Sequence, residues 1–377
     1  MKILIVTLFG LWNYGNRLQN YALKRILEDE FGAEVVSGLH TRTQESSALQ
    51  TPGIKGFIKK IIPHSLFKRR FLKFDSSFLG TPEMQKRVAN FEDFANRYTP
   101  YLNLPTAKGA KNLAKLIGAD QYDYFVAGSD QVWNPYLNDF VVDLLMFAPK
   151  EKRLSFAASV SVPSLPKKAV AVYRRELPKF KNISVREEAG AKLIHELTGL
   201  PAEVTLDPTL IVNEESWDAI EQKPDYDVPK HYLLSYFLGE VPQSLLDYAA
   251  KSGKRLLQMN SLCDPQLYAV GPGEFVYLIR HADAVFTDSF HGSALSIINH
   301  VDFYVYRRRD GEQDTNMFSR LDTLLGKFGL TDRAISRDGT IAEAPIDASK
   351  WHECDDIRWR ERDKALVMLT SVIQHEE

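Results

Sequence analysis

DAVFTDSFHGSALSIINHVDFYVYRRR, residues 283–309, is the stretch whose reading decides the fold. Ala284–Thr287 is apolar, partly β-branched and flanked by acids, the pattern of a short buried strand. Ser293–Asn299 puts Leu295, Ile297 and Ile298 on an apolar face and reads as a helix. Between them, Asp288-Ser289-Phe290-His291-Gly292 makes a tight turn. Backbone N–H groups are left free where the helix starts, and the helix dipole adds to their attraction for an anion. Phe303–Tyr306 reads as a second strand, ending in Arg307-Arg308-Arg309. If the two strands are parallel, the arginines reach the same edge, where ligands of open α/β sheets collect. His291 stands there with a ring that can donate, accept or carry charge near neutral pH. Ser289, His291, Gly292, Arg307 and Arg308 together describe a pocket for a small multivalent anion. A histidine in a turn and an arginine run after a strand also occur as plain solvated loops, which is the competing reading.

The same rhythm extends outward. Lys2–Leu8 reads as a buried first strand, Arg17–Glu30 as a helix with Leu18, Ala22, Leu23, Ile26 and Leu27 on one face, and Ala33–Val36 as a second strand. The loop Phe9–Asn16 bears glycine but is no dinucleotide fingerprint. Tyr122–Ala127 is a strand running into Gly128-Ser129-Asp130-Gln131-Val132-Trp133-Asn134, a small polar turn again at the ligand edge. Strands at Leu154–Ala158 and Asn182–Val185, with helices near Lys167–Leu177 and Arg186–Leu197, complete a first domain over residues 1–207. Residues 208–230, with prolines, acids and no period, read as a linker. Strands and helices alternate again over 231–350, and Ile357–Ile373 is a long amphipathic helix placed to cross back to the first domain. This alternation predicts an α/β protein of two Rossmann-like, doubly wound domains facing a cleft.

Residues 40–120 are less regular, with helical pattern at Met84–Arg97 and Ala107–Gly118. Within them Ile54–Lys73 is basic and apolar without an acid. It reads as a helical hairpin with its basic side in water. The alternative is peripheral contact of residues 54–73 with an anionic membrane surface.

Composition narrows the classes. The chain has 377 residues, 44% hydrophobic and 25% charged, with a net charge of −2. That is an ordinary globular balance and argues against nucleic acid as partner. Cys263 and Cys354 match no metal spacing and no disulfide framework, so a reducing, cytoplasmic setting is expected. The apolar start is too short for a signal sequence, and no apolar run is long enough to span a bilayer. No metal-ligand cluster is legible, so no metal and no cofactor are expected.

Six pieces of sequence, in order, carry a resemblance. They are Asn13-Tyr14-Gly15-Asn16 with Leu18–Leu23 behind it, Ala127–Asn134, Ser184-Val185-Arg186-Glu187, Asp207-Pro208-Thr209-Leu210, Gly271–Phe275, and Thr287–Gly292. With them the chain resembles the polysaccharide pyruvyl transferases over nearly its whole length, apart from roughly 40–115 and the last helix. The resemblance implies a GT-B-like fold and transfer of pyruvate from phosphoenolpyruvate to two hydroxyls of a sugar, giving a cyclic ketal. The acceptor would be a sugar or lipid-linked oligosaccharide, at the inner face of the membrane or in the cytoplasm. It further implies His291 as phosphate contact and proton donor, Arg186 as an anion clamp, and Arg307 or Arg308 as a second basic contact. Asp130 is the candidate base, with a turn carboxylate as the alternative; Asn16, Gln19 and Asn134 are candidate acceptor contacts. The family often has Asn where this chain has Asp288, which leaves the role of that carboxylate open. A sugar-nucleotide glycosyltransferase on the same architecture would need a carboxylate near the focal helix to hold a ribose, and Gly292–His300 contains none. A non-catalytic part of a polysaccharide assembly system is the third reading.

Overall fold

The structure, a computed structural model, describes residues 1–9, 13–40, 81–104, 109–136, 139–261, 263–307, 319–339, 341 and 344–373. The stretch 54–73 and Arg308 lie outside the described residues. The described strands build two sheets. The first runs in the order β3(Tyr101–Leu104), β2(Glu34–His40), β1(Lys2–Val6), β4(Tyr124–Asp130), β5(Arg153–Ala158), β6(Ser184–Val185), β7(Glu203–Val204). The second runs β12(Ala334–Ile335), β11(Phe303–Tyr306), β10(Ala284–Thr287), β8(Tyr232–Tyr236), β9(Arg255–Met259). Every neighbouring pair is parallel. Two Rossmann-like, doubly wound units result, as the alternation of elements predicts, in the GT-B-like plan that the resemblance implies.

Both sheets are covered on both faces, which is why their central strands are continuous apolar runs. Ile3 and Ile5 of β1 enter one core with Leu18, Leu23 and Ile26 of helix Tyr14–Phe31, while Leu4 and Val6 enter a second with Phe125 and Ala127. In β10, Val285 joins the first of these cores, and Ala284 and Phe286 face a third. One core is therefore common to both halves. Tyr14 is its pivot: its ring stacks on Phe275 at 4.3 Å, meets Tyr236 edge-on at 5.6 Å, and its hydroxyl donates to the Val270 carbonyl at 2.9 Å. Burying such a ring contributes about 1.5–3 kcal/mol.

Several boundaries differ from the sequence reading, each for a local reason. Helix Tyr14–Phe31 begins three residues before Arg17 because the Asn13 side chain accepts from Asn16 N and caps it. Helix Phe290–Ile298 likewise starts ahead of Ser293, capped by Ser289. His291 thus sits in the first helical turn and not in a loop before it. The strand predicted to stop at Ala127 continues to Asp130. Gly128 permits this: at φ +132°, a Cβ there would lie 2.0 Å from the Phe156 carbonyl oxygen. Strand β3 has only four residues, too few for a period to be read. Residues 208–230 hold two short helices, Pro208–Ile211 and Glu214–Asp218, with Trp217 wholly buried. The last helix starts at Ala348, capped by Asp347, and packs on the first half: Arg358 Nε donates to Leu210 O and Arg362 Nη1 to Ile211 O. No described helix is long and apolar enough to cross a membrane.

Candidate active site

Each sheet has a switch point, and the strand ends beside it supply the polar groups. In the first sheet β1 and β4 part there; in the second, β8 and β10. Asp288, just past β10, takes Leu238 N at 2.7 Å and Gly239 N at 3.0 Å on its two oxygens. It stitches the two strand ends together, a structural use for the carboxylate that the sequence left open.

The helices that follow β1 and β10 meet at their N-termini. Gly15 is the second residue of one and His291 the second residue of the other. A Cβ on Gly15 would lie 2.0 Å from His291 Nδ1, so the imidazole rests on bare backbone. The other ring nitrogen, Nε2, is 3.7 Å from Asp207 Oδ2 and makes no hydrogen bond. That separation is too long for a hydrogen bond and short enough for strong attraction when the ring is protonated.

Asp207 ends the segment after β7 and caps helix Pro208–Ile211 through Thr209 N at 3.0 Å. Its second oxygen accepts from Ser129 Oγ at 2.8 Å and from Arg186 Nη1 at 2.5 Å. Arg186, just past β6, places Nη2 2.9 Å from Asp130 Oδ1 and lays its guanidinium 4.3 Å over the Phe290 ring. Asp130 also accepts from Asn16 Nδ2, and Arg320 Nη1 stands 3.5 Å from it. Its backbone, at φ +63°, is in a region that non-glycine residues seldom adopt and that clusters at functional sites. Asp207, Arg186, Asp130, His291 and Arg320 are between 0 and 8% exposed, so charges here act through little water. A small cavity beside them is lined by Arg186, Thr205, Asp207, Phe290, Arg320 and Lys327.

Burial pushes both carboxyls upward, and the cations more than reverse it. Arg186, His291 and Arg320 hold Asp130 below the usual carboxylate range. His291, Arg186 and the Thr209 N–H hold Asp207 far below it. Burial lowers Arg186, and Asp207 and Asp130 raise it above its ordinary value. Both acids are therefore ionised and Arg186 charged at neutral pH.

The structure brings His291, Asp130, Arg186 and Asn16 together. Ser289 and Gly292 lie beside them as the cap of the histidine's helix: Ser289 Oγ accepts from Gly292 N at 3.4 Å. Gln19 is wholly buried and committed to its own half, donating to Thr7 Oγ1 and accepting from Ser129 N. Asn134 shapes its own turn through Gln131 and Tyr136. Arg307 is exposed and pairs with Asp322 at 3.0 Å. The arginine that reaches the carboxylates from this part of the chain is Arg320. No motif marks Arg320 in the sequence. Asp207 lies in a motif piece without a role, and Gly15 reads as an ordinary turn glycine. Among the described residues no group of three His, Cys, Asp or Glu could hold a metal ion.

In overall shape the chain is similar to UDP-GlcNAc 2-epimerase from Neisseria meningitidis, solved bound to UDP-GlcNAc (10% identical, 99% of each chain covered, TM-score 0.46). It is similar also to a glycosyltransferase from Rickettsia africae (9% identical, covering 100% of this chain and 99% of that, TM-score 0.47). A third is E. coli ADP-heptose lipopolysaccharide heptosyltransferase II (11% identical, 98% and 99% covered, TM-score 0.35). No curated protein matches the chain. Residues 13–310, from the cap of the first helix to just past Arg307, match the polysaccharide pyruvyl transferases, and that span holds Asp130, Arg186, Asp207 and His291. The chain belongs to the polysaccharide pyruvyl transferase family.

Proposed function

We propose that this enzyme transfers pyruvate from phosphoenolpyruvate to two hydroxyls of one sugar in a polysaccharide or its precursor. The observation that carries the reading is the buried, unbonded Nε2 of His291, beside an ionised carboxylate at the junction of the two halves. A protonated imidazole is both an anion contact and a proton source. In the first step an acceptor hydroxyl oxygen bonds to C2 of the enol while C3 takes the proton that His291 supplies, and the hydroxyl's own proton returns to His291. In the second, the C2–O bond to phosphate breaks and the other hydroxyl bonds to C2, closing the ketal and releasing inorganic phosphate. The second hydroxyl's proton leaves with phosphate or solvent.

Asp130 is the candidate base of the sequence reading. Held below the usual carboxylate range, with Arg186 and Arg320 beside it, it is a weak base. It accepts a hydrogen bond from the acceptor hydroxyl and orients it, with Asn16 as its neutral partner. Arg186 spans both carboxylates and fixes their spacing.

The test is incubation with phosphoenolpyruvate and a panel of bacterial glycan fragments, read by mass spectrometry. A mass gain matching a ketal, with phosphate released in step, is expected, and His291→Ala should abolish both while the fold survives. Thermal stabilisation by UDP- or GDP-sugars but not by phosphoenolpyruvate would overturn the reading in favour of a glycosyltransferase.

A further inference from the structure

One buried carboxylate at this sheet edge takes no part in the proposed chemistry. Glu187 follows Arg186 at the end of β6 and is 1% exposed. It stands at the N-cap of helix Glu188–Thr198, yet its side chain makes no cap bond and turns to the loop after β5. Oε1 alone accepts from Val160 N at 2.9 Å, Ser161 N at 3.0 Å and Ser159 Oγ at 3.0 Å; Oε2, equally buried, takes no hydrogen bond from the described residues. The Ser161 hydroxyl in turn bonds the Ser159 hydroxyl. From its other side Ser159 grips the active-site turn: its N–H donates to Asp130 O at 2.7 Å, and its carbonyl accepts from Trp133 N at 3.2 Å. The loop therefore brackets the turn Asp130–Trp133, and Glu187 ties the loop down. Both ends of the bracket hold a non-glycine residue in left-handed backbone, Asp130 at φ +63° and Ser161 at φ +55°. Such conformations persist only where their surroundings over-determine them. Burying a carboxylate is costly, and here that cost is met one residue from Arg186, on the loop that holds the turn of Asp130.

We infer that Glu187 is a positioning residue for Asp130: its carboxylate fixes the loop after β5, and Ser159 in that loop fixes the turn that aims Asp130 at the acceptor hydroxyl. Glu187 itself touches neither substrate. What it supplies is reach, one oxygen placed where three donors converge, so its placement counts for more than its charge. A glutamine keeps that oxygen; an aspartate keeps the charge and withdraws it by one methylene. The inference rests on the acceptor contact proposed for Asp130 and adds the residue that sets its aim.

Steady-state phosphate release and hydrogen exchange of the full chain test it. Glu187→Ala should lower kcat about 100-fold, the effect of misplacing a reacting group by about 1 Å. The KM for phosphoenolpyruvate should not move, because His291 comes from the other half. Glu187→Gln should recover most of the loss and Glu187→Asp little of it. Asp130→Gly suits φ +63° and leaves nothing to aim, so in that background Glu187→Ala should cost far less; a purely structural residue would cost the same in both. The amides of Ser159 and Trp133 should exchange faster in Glu187→Ala. Wild-type kcat in Glu187→Ala, equal losses in the two backgrounds, or amides as protected as in the wild type each overturns the inference, while phosphate release by the wild type leaves the donor reading standing. Faster exchange in Glu187→Ala, with no phosphate released from phosphoenolpyruvate by the wild-type chain, overturns the donor reading and supports the hold of Glu187 on the turn. Circular dichroism melts check the fold; should Glu187→Ala not fold, a wild-type kcat in Glu187→Asp is the overturning result.

Discussion

The two halves bring unlike chemistry to their seam. The first contributes Asp130, Arg186 and Asp207, bonded to one another within hydrogen-bond range on the ends of strands and the turn after them. The second contributes His291 and Arg320, each from a helix; His291 Nε2 lies 3.7 Å from Asp207 and Arg320 Nη1 3.5 Å from Asp130, across the seam. One side is knit together by short ion pairs, and the other meets those carboxylates at longer range. On the proposed reading, the first half supplies the framework and the second the ligand contacts.

Stability should divide along the same line. Asp207→Asn breaks a wholly buried pair and should cost about 3–5 kcal/mol in urea unfolding. His291→Gln, whose ring lies 3.7 Å from the same carboxylate without a hydrogen bond, should cost about 1 kcal/mol or less. Equal costs would erase the distinction between framework and contact. Gly15→Ala comes next. It forces the imbedded ring off its seat, and a displacement of that order should lower phosphate release by about 100-fold. Unchanged release would mean that His291 needs no fixed position. The smallest effects sharpen the comparison most. Asn13→Ala and Ser289→Ala each remove a helix cap and should each cost about 1 kcal/mol. Both should also slow turnover, Ser289→Ala more, because its helix carries the histidine itself while the other carries Gly15 and Asn16.

Acid should act on the framework side first. Asp130 and Asp207 both titrate below their ordinary value of 3.8 in the folded chain. Between the folded and unfolded values the unfolded chain binds more protons, so stability rises with pH there. Their contribution is complete above the unfolded value and is lost as pH falls below it toward the folded values. Unfolding midpoints measured from pH 6 down to 2 should hold and then drop in the wild type, and drop less in Asp207→Asn.

Much of this was readable from residues. The strand runs Lys2–Val6 and Ala284–Thr287, the helix behind each and the parallel sheets follow from apolar patterning and length. The motif pieces located His291, Arg186, Asp130 and Asn16. What escaped reading depends on packing. Gln19 looks like a site residue because it is polar beside one, yet its amide is spent on Thr7 and Ser129, partners 12 and 110 residues away. Arg307 looked like the second basic contact because it ends a strand at the right edge; its side chain turns outward to Asp322. Arg320 reaches Asp130 across 190 residues, a juxtaposition that no local pattern encodes. Asp207 reads as the end of the first domain; that one of its oxygens caps a helix while the other meets Ser129 and Arg186 requires the sheet order to be known.

The last helix has a consequence for how the chain is made. Arg358 and Arg362 bind the carbonyls of Leu210 and Ile211, immediately after Asp207, and Lys181 reaches the carbonyl of Val372. A ribosome delivers those arginines some 150 residues after the carbonyls they hold. The first sheet can form during translation, but the backbone beside its key carboxylate waits for the final helix before it locks. Nascent chains stalled before residue 358 should carry a folded sheet and an unfinished seam.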